Sequence, residues 1–434
     1  MRARLGEPSA TVGSSVINLA NTILGAGMLA MPAAIAAVGL AFGSFLILFS
    51  ASCSGFGLYL LSRCAARTHG RDASFFSVAQ MTYPRAAVLI DLAIAIKCFG
   101  VGISYLIIIG DLAPEVVSAL GGDTTGALGD RRVWITLFML IIAPLSFLKR
   151  LDSLRYTSVA ALGAVVYLFC IVVYYFFFPS APDHGSTPSP HTPMPITWFR
   201  FSTSFFTNLP IFVFAFTCHQ NIFTVYNELV DNSQTYVSRV IYRAIGAALA
   251  IYQCIGILGY LSFGDHVLPN IILMYNKGPV VTAGRVAIIV LQLFSYPLQC
   301  HPCRASVTIV NEDANSLDSG NTNVPGPAPT MPTDARFLLI TCGILAASYI
   351  MAISVSELDF VLSLVGSTGS TTISFILPGI FYWRLTAPSD DHAQPRTWKA
   401  KLLRTLSGAL ACYGVCVMTI CLTFLIRRAI FGTQ

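Results

Sequence analysis

Long apolar stretches alternate with short polar segments along the whole chain, and eleven of the apolar stretches are as long as a membrane span. A helix needs about 20 apolar residues to cross a hydrocarbon core of ~30 Å. The candidate spans cover residues 14–36, 39–62, 86–110, 132–149, 155–178, 203–226, 240–263, 281–303, 337–355, 360–383 and 405–426. The pattern therefore predicts an all-α integral membrane protein with eleven transmembrane helices.

The composition agrees with this class and excludes a soluble protein. Of the 434 residues, 55% are apolar and only 11% are charged, and the mean hydropathy is +0.70. Most lysines and arginines fall in alternate connections, on the side that also holds the N-terminus. Because cytosolic connections are enriched in Lys and Arg, the N-terminus is predicted to be cytosolic. The net charge of +6 thus reflects topology, and no nucleic-acid partner is indicated.

Two of the predicted spans contain residues that interrupt a helix. The first carries "NLANTILGAGMLAMP" (18–32), and the sixth carries "NLPIFVFAFTCHQNIFTVYNELVD" (208–231). Polar and glycine-rich backbone inside a membrane is tolerated where it lines a cavity. Because the two interrupted spans are five spans apart, they run in opposite directions, which is typical of an inverted repeat. We predict one transporter domain over 1–434, with repeats at about 14–178 and 203–384 and an extra span at about 405–426.

The two breaks suggest how an amino acid is bound. The half-helix after the first break would present free N–H groups and the positive end of its dipole to a carboxylate. Carbonyl groups freed at the second break would accept from the ammonium group. The alternative is that the small residues only allow close helix packing. The candidate substrate-binding residues are Gly25, Ala26, Gly27, Tyr105, Phe214, Ala215, Phe216 and Thr217. Pro32 is expected just inside the restarted half-helix.

Four further residues are candidates for ion coupling. Asn21 and Ser295 could supply two oxygen ligands to a cation, or else form interhelical hydrogen bonds. His219 could exchange protons, or it could be a neutral imidazole bonded across the gap. Lys97, predicted to lie in mid-span, could replace a coupling cation or have a structural partner. The coupling ion is H⁺ or Na⁺.

Other patterns in the sequence are less informative. "CHPC" (300–303) has no second Cys-x-x-Cys to complete a metal site. The pair Gly100 and Gly102 and the stretch "GSTGSTTISF" (366–375) are interpreted as packing faces. We identify no catalytic residues, no metal-ligand cluster and no cofactor, so an enzyme is not expected.

Four stretches resemble the amino acid/auxin permease family, which includes vacuolar amino acid transporters and sodium-coupled neutral amino acid transporters. They are "SSVINLANTILGAGMLAMPAAIAAVG" (14–39), "FTCHQNIFTVYNEL" (216–229), "YPLQCHPCRASV" (296–307) and "VGSTGSTTISFILPG" (365–379). The resemblance implies a leucine-transporter-like 5+5 fold plus one helix. It also implies that Asn21 and Ser295 correspond to ion-binding positions of the sodium-coupled members, with serine in place of their threonine.

We therefore expect a secondary active transporter of neutral amino acids that works by alternating access. Spans 1 and 6 would rock against a scaffold of spans 3, 4, 8 and 9. The expected location is a vacuolar or lysosomal membrane rather than the plasma membrane, and the expected state is a monomer whose partners are a small-molecule amino acid and the lipid bilayer. The alternative is an amino-acid-sensing membrane receptor without net transport.

Overall fold

Fifteen α-helices account for most of the chain in the computed structural model, which describes residues 10–68, 70–148, 155–179, 196–318, 334–387 and 397–431. In chain order they are α1 Val12–Ile23, α2 Ala26–Val38, α3 Leu40–Ala65, α4 Phe75–Thr82, α5 Ala87–Ala119, α6 Arg131–Ser146, α7 Arg155–Phe177, α8 Thr203–Ala215, α9 Ile222–Glu228, α10 Gln234–Phe263, α11 Pro279–Asp318, α12 Asp334–Ser354, α13 Leu358–Val365, α14 Leu377–Leu385 and α15 Trp398–Phe431.

The helices are those of a multi-pass membrane protein. Within the described residues, eight continuous helical stretches are long and apolar enough to cross a membrane, or up to nine when α1 and α2 are taken as one bent span. No β-sheet occurs within the described residues, where the strand-like pairing is one isolated bridge between Ala10 and Leu229. The all-helical class predicted from the sequence is confirmed. Helices suit a membrane because backbone polar groups in lipid must be bonded within their own segment.

Both interruptions predicted from the sequence are present. Between α1 and α2 the chain bends by 53°, and Gly25 is the residue before α2, with φ −147° and ψ −137°. Between α8 and α9 the helix gives way to a short 3₁₀ turn, His219–Asn221. Pro32 is the seventh residue of α2 rather than part of its first turn, so the expectation for this residue was wrong. Its ring instead packs against Gly259 of α10, where any β-carbon would lie 2.7 Å from the ring.

A third irregular helix joins these two breaks to the rest of the bundle. Between α13 and α14 the helix winds more widely, as two π-helical segments, Gly366–Ser370 and Thr372–Ile376. The Thr371 hydroxyl donates to the Gly366 carbonyl at 2.6 Å, within this wide turn. Such π-bulges are frequent at functional sites. The glycines here also pack closely, because a β-carbon on Gly369 would lie 2.8 Å from the Ala93 carbonyl of α5.

The breaks lie against a pair of long helices that cross at the centre of the bundle. Gly102 of α5 lies against the ring of Tyr296 of α11, where a β-carbon would be 3.1 Å from a ring carbon. Gly100, also on α5, lies directly against Val365 at the end of α13. Both glycines of this pair therefore pack against neighbouring helices, as the sequence interpretation proposed.

Arginine side chains tie the broken helices together at both ends. At the end where α1 begins, Arg71 donates to the carbonyls of Asn227 and Leu229 at 3.0 and 2.6 Å. At the opposite end, Arg200 donates to the Ala36 carbonyl at 3.0 Å and pairs with Asp265 at 2.5 Å. These contacts give polar partners to backbone carbonyls where the half-helices end.

We expect Gly57→Ala to destabilise the protein by about 1–3 kcal/mol, because the added carbon overpacks a filled contact. A β-carbon at Gly57 of α3 would overlap the Ser374 carbonyl and lie 2.9 Å from His219 Nε2. Thermal unfolding in detergent measures the change. The control is Gly55→Ala on the same helix, where the nearest atom would be 4.0 Å away. Equal unfolding temperatures for the two variants would contradict the assigned packing.

Candidate substrate and ion site

The main-chain carbonyls at the end of α8 mark the centre of the candidate site. Thr217 satisfies two of them: its hydroxyl donates to the Val213 carbonyl at 2.9 Å, and its amide donates to the Phe214 carbonyl at 3.0 Å. The next two accept from other helices. Tyr252 of α10 contacts the Ala215 carbonyl at 3.0 Å, and Ser54 of α3 donates to the Phe216 carbonyl at 2.7 Å. Four consecutive carbonyls therefore face hydrogen-bond donors of the protein, as groups in a buried helix end must.

The two helix breaks touch each other. A β-carbon on Gly27 would lie 3.0 Å from the α-carbon of Ala215, so only glycine allows α2 and α8 to approach this closely. The Asn221 side chain donates to the Thr22 hydroxyl at 2.7 Å and joins the second break to α1. The Tyr252 hydroxyl also lies 2.6 Å from the Ile23 carbonyl at the end of α1. One tyrosine thus contacts the carbonyl ends of both interrupted helices.

His219 connects the second break to two other helices. Its side chain is fully buried, and Nε2 lies 3.1 Å from the Ser54 carbonyl. A carbonyl only accepts, so Nε2 carries a proton. Nδ1 lies 3.0 Å from the Ser374 hydroxyl of the π-helical segment. A neutral imidazole satisfies both contacts if Ser374 donates to Nδ1. The geometry therefore provides a complete bonding role for the neutral form, one of the two interpretations of this residue.

Tyr105 and Lys97, both on α5, share Gln299 of α11 as a partner. The Tyr105 hydroxyl is close to Gly25, where a β-carbon would lie 3.8 Å away, and it also interacts with Gln299 of α11. The Lys97 ammonium lies 3.5 Å from Oε1 of the same Gln299, and the Lys97 residue is only 3% exposed. A buried ammonium with a neutral partner is unusual at membrane depth, so Lys97 is retained as a candidate functional residue.

Asn21 and Ser295 line one cavity of about 290 Å³ between α1, α7 and α11. The sequence analysis had paired these residues as ligands of one cation. Oδ1 of Asn21 is buried and has no hydrogen-bond partner among the described residues. An unpartnered carboxamide oxygen at a cavity wall fits a hard cation, which prefers oxygen ligands. Neither helix break is among the residues that line this cavity.

The candidate residues therefore form two neighbouring groups. One group surrounds the breaks and consists of Gly25, Ala26, Gly27, Tyr105, Phe214, Ala215, Phe216, Thr217, His219 and Lys97. Asn21 and Ser295 form the other group, at the cavity. Sequence reasoning missed four residues that bond to members of the first group, namely Ser54, Tyr252, Gln299 and Ser374. Of these, Ser374 lies in the stretch 366–375 that was interpreted as a packing face, and Gln299 lies in the stretch 296–307 that resembles the family.

Metal and thiol chemistry has no support in the described part of the chain. No group of three His, Cys, Asp or Glu side chains is close enough there to hold a metal ion. Cys300 and Cys303 of the "CHPC" stretch are buried free thiols on α11. Cys303 contacts the Ala95 carbonyl of α5 at 3.5 Å, which is a packing contact between the two crossing helices.

Comparison with known protein families decides what kind of protein this is. A family model described as "Transmembrane amino acid transporter protein" matches residues 8–427. The chain belongs to this transporter family. The resemblance seen in the sequence is thereby confirmed, and the chain is not an enzyme.

Individual relatives in this family span nearly the whole chain. "Vacuolar amino acid transporter 5" of Schizosaccharomyces pombe is 43% identical over 419 residues, 96% of this chain and 94% of that protein. "Vacuolar amino acid transporter 6" of Saccharomyces cerevisiae is 38% identical over 454 residues, 95% of this chain and 98% of that protein. Human "Sodium-coupled neutral amino acid transporter 7" is 27% identical over 426 residues, 95% of this chain and 85% of that protein.

We expect His219→Ala to lower the free energy of unfolding by about 2 kcal/mol or more, because it leaves a cavity and removes two buried hydrogen bonds. Thermal unfolding of the purified protein in detergent is the measurement. His266→Ala is the matched control, since His266 is exposed on the turn after α10. If both variants unfolded at the same temperature, the bonding role assigned to His219 would be wrong.

Proposed function

We propose that this chain is a secondary active transporter that carries amino acids with neutral side chains across a vacuolar or lysosomal membrane. The observation that carries the proposal is the contact between the two helix breaks, which brings Gly27 against Ala215. Discontinuous helices that meet inside a bundle provide bare main-chain dipoles, the usual substrate site of such transporters. The names of the yeast relatives support the vacuolar membrane, and the name of the human relative supports neutral substrates.

In the proposed site, the substrate carboxylate binds the N–H groups of Gly25, Ala26 and Gly27 at the start of α2. The first N–H groups of a helix have no partner within it, and the helix dipole favours an anion there. The ammonium group binds the carbonyls from Phe214 to Thr217. The carbonyls of Phe214, Ala215 and Phe216 face protein donors in this conformation, so binding exchanges one set of hydrogen bonds for another. Tyr105 lies beside Gly25 and completes the wall of the site.

The proposed architecture is an inverted repeat of five plus five spans, followed by α15 as the eleventh. The α1–α2 and α8–α9 pairs are its first and sixth spans, and α6 and α7 supply the fourth and fifth. The crossing pair α5 and α11 belongs to the scaffold, with α6 and α12, against which the broken helices rock. The N-terminus is cytosolic in this proposal, and the transporter works as a monomer by alternating access.

The coupling ion is H⁺ or Na⁺, and each ion has its own candidate residues. A sodium ion would bind at the cavity, where Asn21 and Ser295 contribute oxygen atoms. Proton coupling would use Lys97, whose buried ammonium can lose its proton when its surroundings change. Because Lys97 is buried inside the bundle, we favour the proton, with His219 as a second candidate carrier.

We expect Gly27→Val to abolish transport, because its side chain would separate α2 from Ala215 and cover the carboxylate site. Uptake of labelled amino acids into proteoliposomes measures the loss. Gly246→Val on α10 is the control, since no atom lies within 4 Å of a β-carbon there. Normal uptake by Gly27→Val would remove the main-chain site. Ligand binding to the wild-type protein without accumulation in vesicles would favour the receptor alternative.

Imposing sodium and pH gradients separately will identify the coupling ion. We expect a pH gradient alone to drive accumulation in wild-type vesicles, and Lys97→Met to abolish this accumulation while exchange of internal for external amino acid persists. Asn21→Ala should leave the pH-driven component intact. Accumulation driven by sodium alone, and lost in Asn21→Ala but not in Lys97→Met, would reverse the assignment.

A further inference from the structure

Tyr252 of α10 has a position that none of the proposed binding roles uses. Its side chain is fully buried, and its ring packs edge-to-face on Phe216 with the centroids 5.1 Å apart. The hydroxyl lies 2.6 Å from the Ile23 carbonyl and 3.0 Å from the Ala215 carbonyl. The Gly25 amide lies close to the same oxygen. One hydroxyl group therefore lies between the two helix breaks and contacts a main-chain carbonyl at each of them.

The amide and carbonyl groups around the Tyr252 hydroxyl are the kinds of main-chain group that a zwitterionic substrate would bind. A carboxylate accepts from an amide such as that of Gly25, and an ammonium donates to carbonyls such as those of Ile23 and Ala215. A tyrosine hydroxyl has one proton and two lone pairs, so it imitates both ends of the amino acid weakly. It can donate fully to only one of the two carbonyls, so it satisfies the breaks less completely than a substrate would.

Main-chain groups left without partners in an apolar interior cost several kcal/mol each. A transporter that returns without cargo closes its substrate site while the site is empty. If the breaks had no partner in that state, closing would carry this cost as an added barrier. A loaded transporter avoids the barrier, because the substrate satisfies the same groups.

We propose that the Tyr252 hydroxyl is a tethered substitute for the polar head of the substrate, which satisfies both helix breaks when the transporter closes without cargo. The inference rests on the proposed function. Substrate binding displaces the hydroxyl from the Ala215 carbonyl and the Gly25 amide. Tyr252 is thus a positioning residue that acts on the empty transporter and makes net transport possible in addition to exchange.

The test is Tyr252→Phe in proteoliposomes, with net uptake and exchange measured on the same preparation. We expect net uptake to fall about tenfold, because the variant loses a buried hydrogen bond only in the empty state. Exchange of labelled for unlabelled amino acid should stay within about twofold of wild type, and the apparent KM should fall because the competing hydroxyl is gone. A purely structural role would lower both rates by the same factor.

The matched control is Tyr260→Phe. Tyr260 is on the same helix and equally buried, but its hydroxyl accepts from the Thr197 amide and contacts Asp265, away from the breaks. We expect its ratio of net uptake to exchange to be that of wild type. Equal ratios for Tyr252→Phe and wild type would overturn the inference. Absence of both uptake and exchange in the wild-type protein would instead remove the proposed function.

If Tyr252→Phe does not fold, 3-fluorotyrosine at position 252 provides the second test. The fluorine keeps the ring and the hydroxyl but makes the hydroxyl a stronger donor, so the empty closed state gains stability. We expect the apparent KM to rise severalfold, with no change in the rate of exchange at saturating substrate. An unchanged KM would overturn the inference as well.

Discussion

Hydrogen bonding of main-chain groups at two helix breaks is the constraint on which this structure depends. Inside an apolar bundle, a helix can be interrupted only where other groups bond to the amides and carbonyls it releases. Here hydroxyls from two other helices do so, since Ser54 of α3 and Tyr252 of α10 bond to the Phe216 and Ala215 carbonyls at the end of α8. Ser374 supports the same break through the His219 side chain. The interruption is therefore a feature of the whole bundle rather than of one helix.

The same constraint explains why glycine and other small residues occur where the helices meet at the breaks. Hydroxyl groups are short, so the helices that carry them must approach closely. Gly57 lies directly on the Ser374 carbonyl, and Gly27 lies on Ala215. The π-helical turns that begin at Gly366 also pack closely against α8, since Gly366 lies against the Pro210 carbonyl. Polar bonding and tight packing thus occur at the same positions, so the breaks are buried while their main-chain carbonyls have hydrogen-bond donors.

The sequence predicted the class, the family and the two interruptions, because apolar length and helix-breaking residues are local properties of the chain. It also paired Asn21 with Ser295, and the structure places both on one cavity. It did not assign a role to Tyr252 or Gln299, because the hydrogen-bond partners of both side chains lie far away along the chain. It misplaced Pro32, which is the seventh residue of α2 and packs against Gly259 of α10. The function of each candidate residue remains a prediction.

By itself, the sequence determined that this protein is an all-helical membrane protein with two interrupted helices. Hydrophobic length and the conformational preferences of glycine are sufficient for that conclusion. Only the tertiary structure decided which groups form hydrogen bonds with the main chain at those interruptions. The partners of Ala215 and Phe216 come from residues 37 and 162 positions away along the chain. A hydrogen bond over such a separation leaves no periodic signal in the sequence, because it depends on how the helices pack.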